Sequence, residues 1–507
     1  MTAPLRHPVP GGTAKPHAVV IGSGFGGLAA AARLCARGYQ VTVLEKLDQP
    51  GGRARMFKQD GFSFDAGPTI ITAPFVLEEL WKFCGGKLSD DVRLVPMEPF
   101  YRLRFYDGTT FDASSDPEAM RREIARLSPE DVAGYERFFA RSKTLYEIGF
   151  EDMGTVPYST LMDLIKSVPD IVRLQGYRSI HALVSDYIKD ERIRMALSFH
   201  PLFIGGNPYS ASAIYGLIAY LERTWGVHYA MGGTHTLAQG MVGLIERQGG
   251  QVRFNAEVAE ITLDGRRATG VRLASGETIS ADIVVSNADA AWTYRKLLPA
   301  RARSKWSDAK LDRSRYSMSL FVWYFGTDKR FEDVPHHTIL MGPRYKGLLD
   351  DIFTHKVLAE DFSLYLHRPT ATDPSMAPSG CDAFYVLSPV PNLAGGQDWE
   401  SLAEGYRQAI ENRLAETVLP DLGKHVVSSR IMTPNDFRDD LLSVHGAAFG
   451  LEPVLLQSAY FRPHNKSEDI TNLFMVGAGT HPGAGLPGVV TSARILDEVI
   501  PHAHTFA

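Results

Sequence analysis

Short uninterrupted apolar runs alternate along this chain with longer stretches in which apolar residues recur every three or four positions. Runs of the first kind read as buried strands, and stretches of the second as amphipathic helices. His17–Ile21 is such a strand. A glycine turn over 22–27, an alanine-rich helix over 28–37 stopped by Gly38, and a second strand, Gln40–Leu44, follow it. Together they make a β–α–β opening. From about 116 to 223 the apolar spacing is helical, with breaks expected at Pro129, Pro157, Pro169 and Pro201. Residues 251–289 are strand-rich, with turns at Asp264-Gly265 and Ser275-Gly276. Residues 317–390 mix strands and loops, and 399–418 read as helix. The chain closes with a strand over 473–476, a Gly/Pro turn and a helix from about Val489.

Length changes this picture first. A chain of 507 residues, 44% of them hydrophobic, exceeds one small core and divides into two or three domains. A net charge of −5 gives no sign of a nucleic-acid partner. Cys35, Cys84 and Cys381 are odd in number and far apart, so neither a disulfide framework nor a metal pattern follows, which suits a reducing compartment. Residues 1–16, rich in Pro, Gly and His, lack the apolar core of a signal peptide and read as a disordered lead-in. No apolar run is long enough to span a bilayer. The nearest, 211–221, is too short, so any membrane role must be peripheral.

Three motifs carry chemistry. Gly22-Ser23-Gly24-Phe25-Gly26-Gly27 is a G-x-G-x-x-G between strand and helix. Gly22 permits the tight turn, Gly24 a close backbone approach to a pyrophosphate, and Gly27 close packing of helix on strand. The helix start offers N–H groups to phosphates. Glu45, at the end of the next strand, is placed to accept from a ribose hydroxyl. Next comes Pro50-Gly51-Gly52-Arg53-Ala54-Arg55, which resembles the continuation in flavin amine oxidases that runs alongside FAD. Asp65-Ala66-Gly67-Pro68-Thr69 fits the next landmark of those proteins. Two glycines let backbone press on a flat cofactor, and an Arg meets phosphate oxygens. The third motif, residues 476–488, puts five glycines into one loop between a strand and a helix. That entropic cost needs a reason, and backbone laid against a ligand is one.

Beyond these loops, Gly205-Gly206-Asn207-Pro208, Leu221-Glu222-Arg223-Thr224-Trp225, Ser286-Asn287-Ala288-Asp289, Leu364-Tyr365-Leu366-His367 and Phe461-Arg462-Pro463-His464-Asn465 resemble bacterial phytoene desaturases, and the similarity runs over nearly the whole chain. The resemblance implies an α/β fold: a Rossmann-like FAD-binding domain of the amine-oxidase type, a mixed-sheet substrate domain and a helical membrane-associating part. The implied FAD domain covers 17–115 (with the start of the substrate domain), 226–300 and 441–507. The helical region covers 116–225 and the substrate domain 301–440. The implied FAD contacts are Gly22, Gly24, Gly27, Glu45, Gly52, Arg53, Gly67, Pro68, Val258, Gly479, Gly483, Gly485, Pro487 and Gly488. The implied reaction is successive dehydrogenation of phytoene to neurosporene or lycopene, with oxygen or a quinone as electron acceptor. The implied location is the cytoplasmic side of a membrane, held peripherally.

A polyene offers no polar handle, so recognition must come from burial in a long apolar tunnel. The flavin is the main reactive group. Asp163 and Lys166, three apart on a helix among apolar residues, form a candidate acid–base pair, with a solvated surface pair as the plainer reading. His481, in the glycine loop, is a candidate proton relay or, preferred, a hydrogen-bonding spacer. Rival readings are another carotenoid-pathway flavoenzyme (a later-step desaturase, an isomerase or a ketolase), an amine oxidase, or a flavin-free prenyl-binding carrier of Rab-type GTPases.

Overall fold

The computed structural model describes residues 15–506. The lead-in expected for 1–16 lies outside the described residues except for its last two, and the Pro16 carbonyl already accepts from the Gln40 amide at 3.0 Å.

Five parallel strands form the first sheet, in the order Leu473–Met475, Ile283–Ser286, His17–Ile21, Gln40–Leu44, Gln251–Arg253. Both faces are covered, which is why these strands read as continuous apolar runs. Ala18 and Val20 pack under the helices Phe25–Ala36, His235–Arg247 and Leu486–Val499. Val19 and Ile21 pack on the other side, against the three-stranded meander Val258–Asp264, Arg267–Leu273, Thr278–Ser280 and the segment near Tyr294. The first helix starts at Phe25 and the last at Leu486, each about three residues earlier than the glycines suggested. Gly24 and Gly485 occupy the positions just before them, so these helices begin inside the glycine loops.

A second, seven-stranded sheet runs Val426–Met432, Ser319–Thr327, Asp382–Val390, Leu364–His367, His337–Leu340, Tyr101–Arg104, Thr110–Ala113. All its pairs are antiparallel except His337–Leu340 with Tyr101–Arg104, so it is a mixed sheet, as expected. It too is buried on both faces. Phe321, Trp323 and Phe325 face the helix Trp399–Thr417. Leu320, Val322 and Tyr324, one residue out of step, face the opposite core.

Helices Pro117–Leu127, Val132–Tyr146, Leu161–Arg173, Ile180–Ser185, Glu191–Ser198 and Leu217–Trp225 pack on that second face. Pro169 does not break its helix as expected: Leu161–Arg173 continues through it. A proline ring costs one backbone bond, and this helix carries that loss with a Thr160–Asp163 capping box at its start. Among the described residues no helix is long and apolar enough to cross a membrane.

Candidate active site

One cavity of about 580 Å³ runs from the carboxyl ends of the parallel strands to the second sheet and the helices above it. Its first end is made of glycine loops. The Ser23 amide and hydroxyl both donate to Glu45 Oε2 at 2.7 Å, and the Leu47 amide donates to Glu45 Oε1 at 2.8 Å. Glu45 is thereby fixed with its edge on the cavity. The Gly51 amide donates to the Ser23 carbonyl at 2.9 Å, which lays the second motif directly on the first.

The glycines have distinct reasons. A Cβ on Gly27 would lie 2.1 Å from the Gly22 carbonyl, and one on Gly67 2.2 Å from the Arg53 carbonyl. These are close backbone packings, not open space for a ligand. Gly24, Gly26 and Gly477 surround the Asn287 amide, which a Cβ on any of them would meet at 2.6–2.7 Å. The expected reason for Gly24 is therefore joined by another: it leaves room for Asn287. Gly479 packs on Ala290 and Gly483 on Arg462, both behind the cavity wall. Gly22, Gly24, Glu45, Gly52, Arg53, Gly67, Pro68, Val258, Gly485, Pro487 and Gly488 line the cavity; Gly27, Gly479 and Gly483 shape it from behind.

Arg53 is partly buried and donates through Nη2 to Ser443 Oγ at 2.8 Å. Its Nε has no partner among the described residues. Burial pulls its guanidinium below the ordinary value, with Asp289 opposing. A partly buried cation with a buried, unpartnered Nε, sharing the cavity lining with the starts of the helices Phe25–Ala36 and Leu486–Val499, fits the anionic diphosphate of a dinucleotide. Glu45 fits its ribose.

The far end is apolar. Leu164, Ile171, Phe199, Phe203, Leu320 and Leu387 are part of its wall. Two polar groups interrupt it. Thr69 Oγ1 bonds Tyr385 Oη at 2.6 Å and Tyr365 Oη at 2.9 Å, and Tyr365 Oη bonds His337 Nδ1 at 2.7 Å. Glu222 Oε2 accepts from Tyr101 Oη at 2.8 Å and lies 3.2 Å from His200 Nε2. Glu222 Oε1 has no partner among the described residues. Neither Tyr365, Tyr385, Glu222 nor Asn287 was singled out for a role from the sequence, since their partners lie far along the chain.

Asp163 and Lys166 do not form the expected pair. Asp163 Oδ2 accepts from the Thr160 amide at 2.8 Å and caps its helix. Lys166 is exposed, and among the described residues no ion pair joins the two. Neither lines the cavity; Leu164, between them, does. His481 does line it. Burial pushes its imidazole down to about 4, its Nε2 donates to the Met153 carbonyl at 3.1 Å, and its Nδ1 has no partner among the described residues.

Residues 25–495 match the model of the family described as flavin containing amine oxidoreductase. A phytoene desaturase (neurosporene-forming) of Cereibacter sphaeroides is 52% identical over 96% of this chain and 95% of its own. A phytoene desaturase (lycopene-forming) of Paracoccus sp. is 49% identical over 95% and 97%. The chain belongs to the bacterial phytoene desaturase family. It is an FAD-dependent oxidoreductase, and the flavin-free carrier reading falls. Among solved structures, an oxidoreductase from Methanosarcina mazei superposes with a TM-score of 0.64 over 95% of this chain and 100% of that one, at 20% identity, which speaks for the fold alone.

Proposed function

We propose that this protein dehydrogenates phytoene in successive steps, to neurosporene or lycopene, at a membrane surface. The observation that carries this is the single cavity joining an FAD site to an apolar chamber. Bound FAD supplies the hydride acceptor. The chain's own residues do the rest. The apolar wall holds the hydrocarbon and excludes water. Each step removes a hydride and, from the neighbouring carbon, a proton. Glu222 Oε1, buried on that wall and unpartnered among the described residues, is the acceptor we assign to the proton. Oxygen or a quinone takes the electrons afterwards.

The helix Leu161–Arg173 supports the membrane part of the reading. Leu164 and Ile171 face the cavity. Leu161, Met162, Ile165, Val168 and Val172 of the same helix face outward and are about half exposed. Phe461, also exposed, lies on the segment Ala459–Phe461 that packs against this helix. A helix apolar on both sides, one toward a hydrocarbon chamber, suits a portal resting on the cytoplasmic face of a bilayer.

The test uses FAD-loaded protein, phytoene in liposomes, an electron acceptor and no NAD(P). Product absorption should move stepwise from the ultraviolet into the visible as conjugation grows. Recovered phytoene with FAD still bound refutes the activity. Glu222→Gln, with FAD content intact, should slow turnover by about 100-fold, the low end for acid–base groups. An unchanged rate removes the proton from Glu222 without touching the activity itself.

A further inference from the structure

We propose that His336, His337 and His367 form a binding site for one divalent first-row transition ion, with Zn(II) the expected occupant. The site lies in the seven-stranded sheet, behind the cavity wall. It does not depend on which polyene the cavity takes.

The strands His337–Leu340 and Leu364–His367 pair antiparallel, and their register sets His337 opposite His367. Side chains opposite one another on paired strands share a face. His336, just before the strand, adds a third ring. One ring nitrogen from each lies within 4.8 Å of the other two. His336 Nε2 and His367 Nε2 are 3.0 Å apart. In tetrahedral zinc sites, bonds of about 2.0–2.1 Å set ligand nitrogens roughly 3.3 Å from each other. Two of the three nitrogens therefore stand near ligand spacing already, and the third has to close on them from within 4.8 Å.

The surrounding hydrogen bonds point the same way. A histidine that binds a metal through one nitrogen usually donates its other N–H to a fixed oxygen. His336 Nδ1 lies 2.7 Å from Thr372 Oγ1, and His337 Nδ1 lies 2.7 Å from Tyr365 Oη. These two rings are thus oriented through Nδ1, leaving Nε2 for the cluster; His367 Nδ1 has no such partner among the described residues, so on that side the third ring is held by packing alone. His337 Nε2 has no partner among the described residues, a costly condition for a buried polar atom that a metal bond would end. All three rings are buried. The donor set is nitrogen only, which suits zinc, copper or nickel and not calcium or magnesium. Thr372, partly exposed beside His336, gives an ion a short way in. Through His337, the ion would also hold the Tyr365 hydroxyl that lines the cavity.

The experiment uses full-length, FAD-loaded protein without a polyhistidine tag. It is stripped with a chelator, dialysed to equilibrium against micromolar Zn(II), and assayed for metal by mass spectrometry. The expected result is about one zinc per chain in the wild type and background zinc in H337A/H367A. FAD absorbance and circular dichroism confirm that the double variant is folded. Thr372→Val, which removes one orienting oxygen and leaves all three ligands, should weaken zinc binding by about 10–100-fold. No retained zinc in the wild type overturns the proposal. Equal zinc in the wild type and the double variant does so as well, because the metal would then sit elsewhere.

Discussion

Asp65 sits two residues before Gly67, with Oδ1 accepting from the Thr234 amide at 2.8 Å and Oδ2 without a partner among the described residues. Burial pushes its carboxyl up to about 7, against the pull of that amide and with a further push from Asp373. The unfolded chain ionises Asp65 near the ordinary carboxylate value. Below that value both states hold the proton and nothing differs. Between there and about pH 7 only the unfolded chain gives its proton up, so the folded state loses stability as pH rises, by roughly 4 kcal/mol at most. Asp65→Asn keeps the acceptor for Thr234 and has no proton to lose. Its thermal midpoint should fall less than that of the wild type between about pH 5 and 7.5. Parallel curves for the two proteins would show that Asp65 is not held protonated. His481 carries the opposite lesson. Its imidazole, down at about 4 in the folded chain, ionises near the ordinary value of about 6.5 once unfolded, so it makes the folded state gain stability as pH rises between those values, in wild type and Asp65→Asn alike.

The helix Leu161–Arg173 shows where reading by element succeeds and where it stops. Helical apolar spacing was legible here, but a break was expected at Pro169, so Leu161, Ile165, Val168 and Val172 were not joined into one face. Which way that face points was not legible either. The same spacing serves a stripe turned to a core and a stripe turned outward, and here it is turned outward. That also explains why the sequence left Asp163 and Lys166 with two readings. Three apart on a helix, a catalytic pair and a cap beside a surface lysine look alike in sequence. The glycine loops were more legible because their constraint is local: a residue with a left-handed φ, such as Gly22, or with backbone about 2 Å from its missing Cβ, as at Gly27, must be glycine. If the outward face meets lipid, replacing Ile165 and Val168 with serine removes apolar area that each side chain contributes at about 1.5–3 kcal/mol when fully buried. Flotation with neutral liposomes should then drop by at least about tenfold, while FAD content and thermal midpoint stay near wild type because both side chains are half exposed. Flotation equal to wild type would place the membrane contact on another element.

Across the whole molecule, the parallel sheet draws its strands from three distant stretches of chain, 17–44, 251–286 and 473–475, and the glycine-loop end of the cavity is lined from segments next to the same three. The first and last stretches were legible because motifs near both ends of the chain announced them, while the middle stretch carried only its strand pattern. The polar network of the chamber was not. Thr69 meets Tyr385 across 316 residues, and such contacts are set by strand register between segments that carry no mutual signal in sequence. The same long-range assembly has an energetic consequence. Glu45, Arg53, Asp289 and the loop before Leu486 come together only in the folded chain, so FAD binds the folded state and stabilises it by mass action. At free FAD 100-fold above its Kd, the gain is about 2.7 kcal/mol. In a chain this long, that amounts to a few degrees in the thermal midpoint. The midpoint should climb with added FAD in the wild type. Glu45→Ala loses charge-assisted hydrogen bonds of roughly 1.5–3 kcal/mol, so its curve should be displaced to FAD concentrations higher by about 10- to 100-fold. A wild-type midpoint indifferent to FAD would mean that the strands at the two ends of the chain hold together without the cofactor's help, and that the glycine loops are not where folding and cofactor binding meet.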